Sequence, residues 1–250
     1  MRVCLSISIA LLLVGHASAQ VLSPGNPRLL TDTNTSLPAF DSEQIIDAAW
    51  TSDGTRFVLG EGMQAGTRMV YLHSLKKRGE LVYFTPLALA ADEHARAVTV
   101  APDGTATVVW DSPTGVRMQQ YTVAGAPIWA SPATGGANSA VIDVILDQSL
   151  RPVTVGSAAG MASMDRWAPD GSGISSSVHS VEPGVFTSAV VDGTFGIYAC
   201  GELEIAGQLD AAIAFVTEDW GAQQIGTFPS PPTQDHLQVI DVDPVTLRVC

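Results

Sequence analysis

Basic residues are scarce in this chain: 12 Lys and Arg stand against 25 Asp and Glu, for a formal net charge of -13. That balance argues against nucleic acid as a partner, because phosphate binding needs clustered cations. The one basic run, Lys76-Lys77-Arg78, is the size of an ordinary solvated hairpin tip. Cysteine is scarcer still. Cys4, Cys200 and Cys250 are too few for a disulfide scaffold, and whether Cys200 pairs with Cys250 stays open. No stretch reaches the roughly 18 uninterrupted apolar residues of a spanning helix, so no membrane insertion is expected. Also missing are HExxH, a GxSxG elbow, a P-loop and the D-x-[DN]-x-[DN]-G calcium loop. Gly60-Glu61-Gly62 with Gly66 has neither the spacing of a dinucleotide loop nor a helix after it, and reads as a strand-to-strand loop.

What is present begins with a leader. Met1 and Arg2 precede an apolar run over residues 3–14, followed by Ala17-Ser18-Ala19, small residues suited to signal-peptidase cleavage before Gln20. Residues 1–19 are therefore expected to be a signal peptide, and the mature chain to be secreted, periplasmic or extracellular. Asn34-Thr35-Ser36 satisfies a glycosylation triplet, which matters only in a eukaryotic secretory pathway.

From residue 45 onward the chain repeats itself. Residues 97–134 read as four short strands: one ending at Ala101, one over 105–110, one over 116–123 and one over 127–131. The boundaries carry the Gly, Pro and Asp that hairpins require. Two marks recur in phase: an Asp turn at Asp53-Gly54, Asp103-Gly104, Asp147-Gln148, Asp192-Gly193 and Asp243-Pro244, and a Gly turn at Gly79, Gly125, Gly171 and Gly221. Second strands end alike, in FVLG to Gly60, VTVG to Gly156 and YACG to Gly201. Four strands per period of about 45–50 residues, with no helical period, predict an all-β chain, a β-propeller of four-stranded blades. Four full blades and a partial fifth are expected over residues 45–250, with Trp50, Trp110, Trp129 and Trp167 in core or inter-blade positions. Residues 20–44 form an N-terminal segment. Either its residues 28–31 and 37–40 supply a hairpin that completes the fifth blade, or the reading frame is truncated, as the missing Gly after Leu247-Arg248-Val249-Cys250 favours.

RWAPDGSG and the later run DGTFGIYACGELEIAGQLDAAIAFVTEDWG resemble the repeats of bacterial secreted β-propeller proteins, at Asp192, Gly193, Gly201, Asp210, Ala211 and Gly221. The resemblance implies secretion and a binding or scaffold role, and carries no catalytic motif.

Candidate site residues follow from the repeat. Ile46-Asp47, Ile142-Asp143 and Ile240-Asp241 place a carboxylate on the innermost strand of three units. The loops leading into innermost strands add Glu43, Asp92, Glu93, His94, Glu182, Asp235 and His236, and loops of the same face add Glu61, Asp111, Glu202 and Glu204. The expectation is an acidic channel mouth that binds a protein or carbohydrate ligand, with no required cofactor. Its oxygen ligands would suit Ca²⁺. The alternative is a glycoside hydrolase or lyase using two of the channel carboxylates as acid and base.

Overall fold

The computed structural model describes residues 40–136, 139–192 and 196–228. The expected signal peptide, all of the expected N-terminal hairpin but Phe40, and the expected fifth unit with Asp235, His236 and Asp241 lie outside the described residues. Within them there is no helix. Short alternating apolar and polar runs, broken every several residues by turn-forming residues, favour strands half-buried on each face over any helix.

Three antiparallel sheets follow one another along the chain. The first joins β1 (Ser42–Trp50), β2 (Arg56–Gln64), β3 (Thr67–Leu75) and β4 (Leu81–Leu87) in chain order. The second joins β5 (His94–Val100), β6 (Ala106–Ser112), β7 (Gly115–Tyr121) and β8 (Ala133–Thr134) in the same way. The third has seven strands in chain order: β9 (Ser139–Leu146), β10 (Pro152–Ala158), β11 (Met161–Trp167), β12 (Ile174–Asp192), β13 (Gly196–Ile205), β14 (Gln208–Thr217) and β15 (Gln223–Phe228). Strand β12 is shared. Its earlier residues, as far as Pro183, pair with β11, and those from Gly184 onward pair with β13. Pro183 offers no N–H to a ladder, so the change of partner falls where pairing is weakest.

The sheets stack face to face on three cores. Phe57, Leu59, Val70 and Leu72 of the first sheet meet Val98, Val108 and Trp110 of the second. The second sheet's other face, with Val109 and Met118, meets Val141, Val144 and Trp167. Val153, Val155 and Met164 meet Phe186, Ile197 and Val216 across the two halves of the seven-stranded sheet. Successive opening strands β1, β5, β9 and β12 therefore lie beside one another.

Several details differ from the sequence expectation. Residues 127–131 were expected to be a strand, but only Pro127 forms a bridge, to Tyr121, and the pairing passes to β8. Pro127 and Pro132 lack amide hydrogens, and Trp129 folds against Gly171 instead of extending a ladder. Trp167 and Trp110 are buried as expected, whereas Trp50 is 70 % exposed. The Asp147 turn is also out of phase. Gly54 donates its N–H to Thr51, Gly104 to Ala101 and Leu150 to Asp147, so Asp147 corresponds to Thr51 and not to Asp53. Likewise Trp220, not Gly221, matches Gly79, Gly125 and Gly171. The Asp residues do cap their turns: Asp53 accepts the Thr55 N–H at 2.9 Å, Asp103 that of Thr105 at 2.8 Å and Asp170 that of Ser172 at 2.9 Å.

Candidate functional site

Each opening strand carries an irregularity at the same place. The β1 ladder skips Ile46, the β5 ladder Arg96, the β9 ladder Ile142 and the β12 ladder Thr187. A bulge of this kind leaves one residue unpaired and turns its neighbours' backbone groups out of the ladder. Opposite three of these bulges stand the glycines that end FVLG, VTVG and YACG: Ile45 faces Gly60, Val141 faces Gly156 and Phe186 faces Gly201. A Cβ on Gly156 would run into the carbonyl oxygen of Ala140, and one on Gly201 into that of Val185. Gly60 instead lies under the ring of Tyr71. The second sheet has Trp110 at this position, facing Ala95.

The residue after the bulge is Asp47 on β1 and Asp143 on β9. Asp47 accepts the N–H of Ala48 at 2.8 Å with Oδ1 and that of Val98, on the next sheet, at 2.8 Å with Oδ2. Asp143 accepts the N–H of Val144 at 2.7 Å and that of Ala189, in the other half of its sheet, at 3.2 Å. On β5 the corresponding residue is Ala97, which has no oxygen to offer. There Asp111 on β6 reaches across and accepts the N–H of Val141 at 2.8 Å. Each junction between stacked units is thus bridged by one carboxylate and one amide of an opening strand. Burial pushes the Asp47 carboxyl up to about 6; its two amide bonds pull it back, and the Asp143 charge adds a small further rise. Burial likewise raises Asp143, against the bonds from Ala189 and Val144.

The remaining expected site residues spread along one end of the strands. Glu61, Asp111, Glu202 and Glu204, expected in loops, lie within β2, β6 and β13. The expected acidic mouth is of mixed charge over its described part: Glu61 pairs with Arg68 at 2.8 Å, Asp111 with Arg96 at 2.6 Å and Glu93 with Arg117 at 3.6 Å. Glu93, buried just ahead of β5, also accepts the Ala90 N–H at 2.9 Å. Glu43 accepts from the Tyr71 hydroxyl. Asp92 and His94 flank Glu93 and are exposed, as is Glu182 on β12. Among the described residues no three His, Cys, Asp or Glu side chains gather as a metal site, and the oxygens of Asp47 and Asp143 face amide donors; the Ca²⁺ expectation thus finds no described ligand set.

Two features escaped the sequence reading. His73 on β3 is buried with no hydrogen-bond partner at either nitrogen, and burial pushes its imidazole down to about 4. Asp165 on β11 is buried beside Ser163 and Ser177, its carboxyl raised chiefly by burial. Both sit inside strands that read as ordinary alternation, so nothing in the one-dimensional pattern marked them.

No family model matches the chain, and no curated protein matches it by sequence. Solved structures do resemble it. Hydrazine synthase of Kuenenia stuttgartiensis aligns with a TM-score of 0.52 at 10 % identity, over 79 % of this chain and 69 % of that one. A protein of unknown function from Dyadobacter fermentans aligns with a TM-score of 0.51 at 13 % identity, over 84 % and 69 %. The Dos1 propeller aligns at 0.49 and 8 % identity, over 75 % of this chain and 61 % of its own length, a likeness too slight to carry an argument. At these identities the first two likenesses concern the fold alone.

Proposed function

We propose that the chain is an exported β-propeller, with β1–β4, β5–β8, the two halves of the seven-stranded sheet and a further unit as its blades, and that it serves as a binding or scaffold module. The ligand class is protein or carbohydrate, met at the strand ends that carry the exposed Asp92 and His94 together with the paired Glu61–Arg68 and Asp111–Arg96.

One observation carries this reading over the glycoside hydrolase or lyase: Asp47 and Asp143 each accept two backbone N–H groups, one of them from the neighbouring unit. A carboxylate held in that way serves the stacking of units. To act as general acid or base it would have to give up bonds to these backbone amides.

The test is binding of the purified mature chain to glycan and peptide arrays, beside hydrolysis of a panel of nitrophenyl glycosides. The reading expects retention on one of the arrays, lost in an Asp92→Ala/His94→Ala variant that melts like the parent, and no turnover. Turnover abolished by Asp47→Asn in a protein of unchanged stability would overturn it in favour of catalysis.

A further inference from the structure

Two buried N–H donors stand side by side at the junction of the first two sheets. Trp110 on β6 lies directly opposite Arg117 on β7, which puts the two side chains on one face. That face is turned to the first sheet, because Trp110 belongs to the core that holds Leu59, Val70 and Leu87. Trp110 is 4 % exposed, yet among the described residues its indole Nε1 finds no hydrogen-bond acceptor, and neither does the buried Nε of Arg117. Glu93 Oε1 stands 3.6 Å from that Nε, near enough to attract the charge and too far for a hydrogen bond. Folded proteins pair such buried groups almost without exception, with protein, water or a ligand.

The carboxylate beside the two donors is fixed by its own loop. Glu93 donates its N–H to the Ala90 carbonyl at 3.1 Å and accepts the Ala90 N–H on Oε2 at 2.9 Å. Arg68, itself paired with Glu61, donates to the Glu93 carbonyl at 2.9 Å. Oε1 is thereby left on the Arg117 side. The place opens to solvent along the Arg117 side chain, which is 35 % exposed, at the strand end that carries Asp92 and His94.

Two donors beside one carboxylate oxygen decide the chemistry. A free anion is disfavoured, since Glu93 already balances Arg117 and the chain carries a formal net charge of -13. An extended peptide turns the N–H and C=O of one residue to the same side, offering one acceptor and one donor together. A lone trans amide, such as an N-acetyl sugar carries, points its N–H and C=O apart.

We infer that Trp110, Arg117 and Glu93 form a subsite for the main chain of an extended peptide: the C=O of one residue accepts from Trp110 Nε1 and Arg117 Nε, and its N–H donates to Glu93 Oε1. The subsite rests on the reading that a ligand meets this strand end, and it selects protein over carbohydrate. Because main chain is what it holds, preference for particular side chains falls to the charged pairs of the same end, Glu61–Arg68 and Asp111–Arg96.

The experiment is an NMR titration of the whole mature chain with N-acetyl-trialanine amide, N-acetylglucosamine and sodium acetate, following the indole N–H of Trp110 as assigned with Trp110→Phe. A saturable shift is expected with the peptide and none with the sugar or acetate, and Arg117→Met should raise the peptide concentration at half-saturation at least about tenfold. No shift with the peptide in the wild type overturns the inference even if the variants do not fold. So does a saturable shift with acetate or with the sugar, or an indole proton that stays in contact with a long-lived water at saturating peptide, which would make water the occupant. Array retention that depends on Asp92 and His94, with the Trp110 indole unmoved by the retained ligand, sinks the subsite and leaves the proposed function standing.

Discussion

The carboxylate of Asp47, on the strand that opens the first sheet, accepts the backbone N–H of Val98, on the strand that opens the second, at 2.8 Å. Asp143 repeats the relationship with Ala189 one full pair of units later. In both cases the donor follows a residue without a carboxylate, Ala97 or Ser188, so its N–H is not claimed by its own neighbour as those of Ala48 and Val144 are. Bonds from amides to a charged acceptor are the stronger kind, and losing the acceptor strands the donors in a low-dielectric junction.

Replacing Asp47 or Asp143 by Ala is therefore expected to destabilise the protein by about 1–3 kcal/mol, the cost of leaving the buried Val98 or Ala189 amide without this acceptor. Asn, which keeps one acceptor oxygen, should lose less. Asp92→Ala, at an exposed position, serves as the neutral control. Denaturant midpoints at constant m-value check all three.

Stability should depend on pH through opposed groups: the carboxyls of Asp47, Asp143 and Asp165, raised by burial, and the His73 imidazole, lowered by it. The Asp47 carboxyl is raised in the folded state to about 6, so the folded chain holds its proton longer than the unfolded chain, and stability falls as pH rises from about 4 to 6. The His73 imidazole is lowered to about 4, so the unfolded chain takes up a proton first, and stability rises from about 4 to 6.5. The wild type should show the sum of these opposed slopes, with Asp143 and Asp165 adding to that of Asp47. His73→Leu should tilt it downward with rising pH, and Asp47→Asn should tilt it upward, as read by thermal melts at half-unit pH steps.

Gly201→Ala should cost about 1–3 kcal/mol, because its Cβ would collide with backbone at the Val185 carbonyl, which side-chain rotation cannot relieve. Gly226→Ala, on β15 with open space around it, should change the midpoint by less than about 0.5 kcal/mol. Equal costs at the two sites would contradict the bulge geometry.

Leu150 sits at a φ of 60° where the first two units have Gly54 and Gly104, and its side chain is 49 % exposed. Leu150→Gly is expected to raise stability by up to about 1 kcal/mol, the relief of a left-handed backbone offset in part by the freedom glycine gains when unfolded. A melt that falls instead would show that Leu150 packs more than its exposure indicates.

The strand content and the antiparallel hairpins were legible because Gly, Pro and Asp at hairpin turns act locally, within a few residues. Asp53 and Asp103 cap their turns as their Asp-Gly pairs indicate. Phase was lost where the local residue is replaced: Leu150 and Trp220 hold the left-handed positions that Gly holds elsewhere, and Asp147 caps from a different place in its turn. The placement of Asp47 and Asp143 on strands that open their sheets was legible from the repeated Ile-Asp pair, but their partners were not. Val98 lies 51 residues from Asp47 in the chain, and only the bulge that skips Ile46 aims the carboxylate at it. The acidic mouth was over-read because Arg68, Arg96 and Arg117, scattered in sequence, return to the same end of the strands as the carboxylates they pair with.

Carboxylates of opening strands hold the amides of the next sheet, and the amide proton of Val98 reports on this directly. Followed by NMR from pH 4 to 8, it should shift with a midpoint near 6 as Asp47 ionises, and lose that titration in Asp47→Asn. A Val98 amide that stays flat while Asp47 titrates would contradict the account.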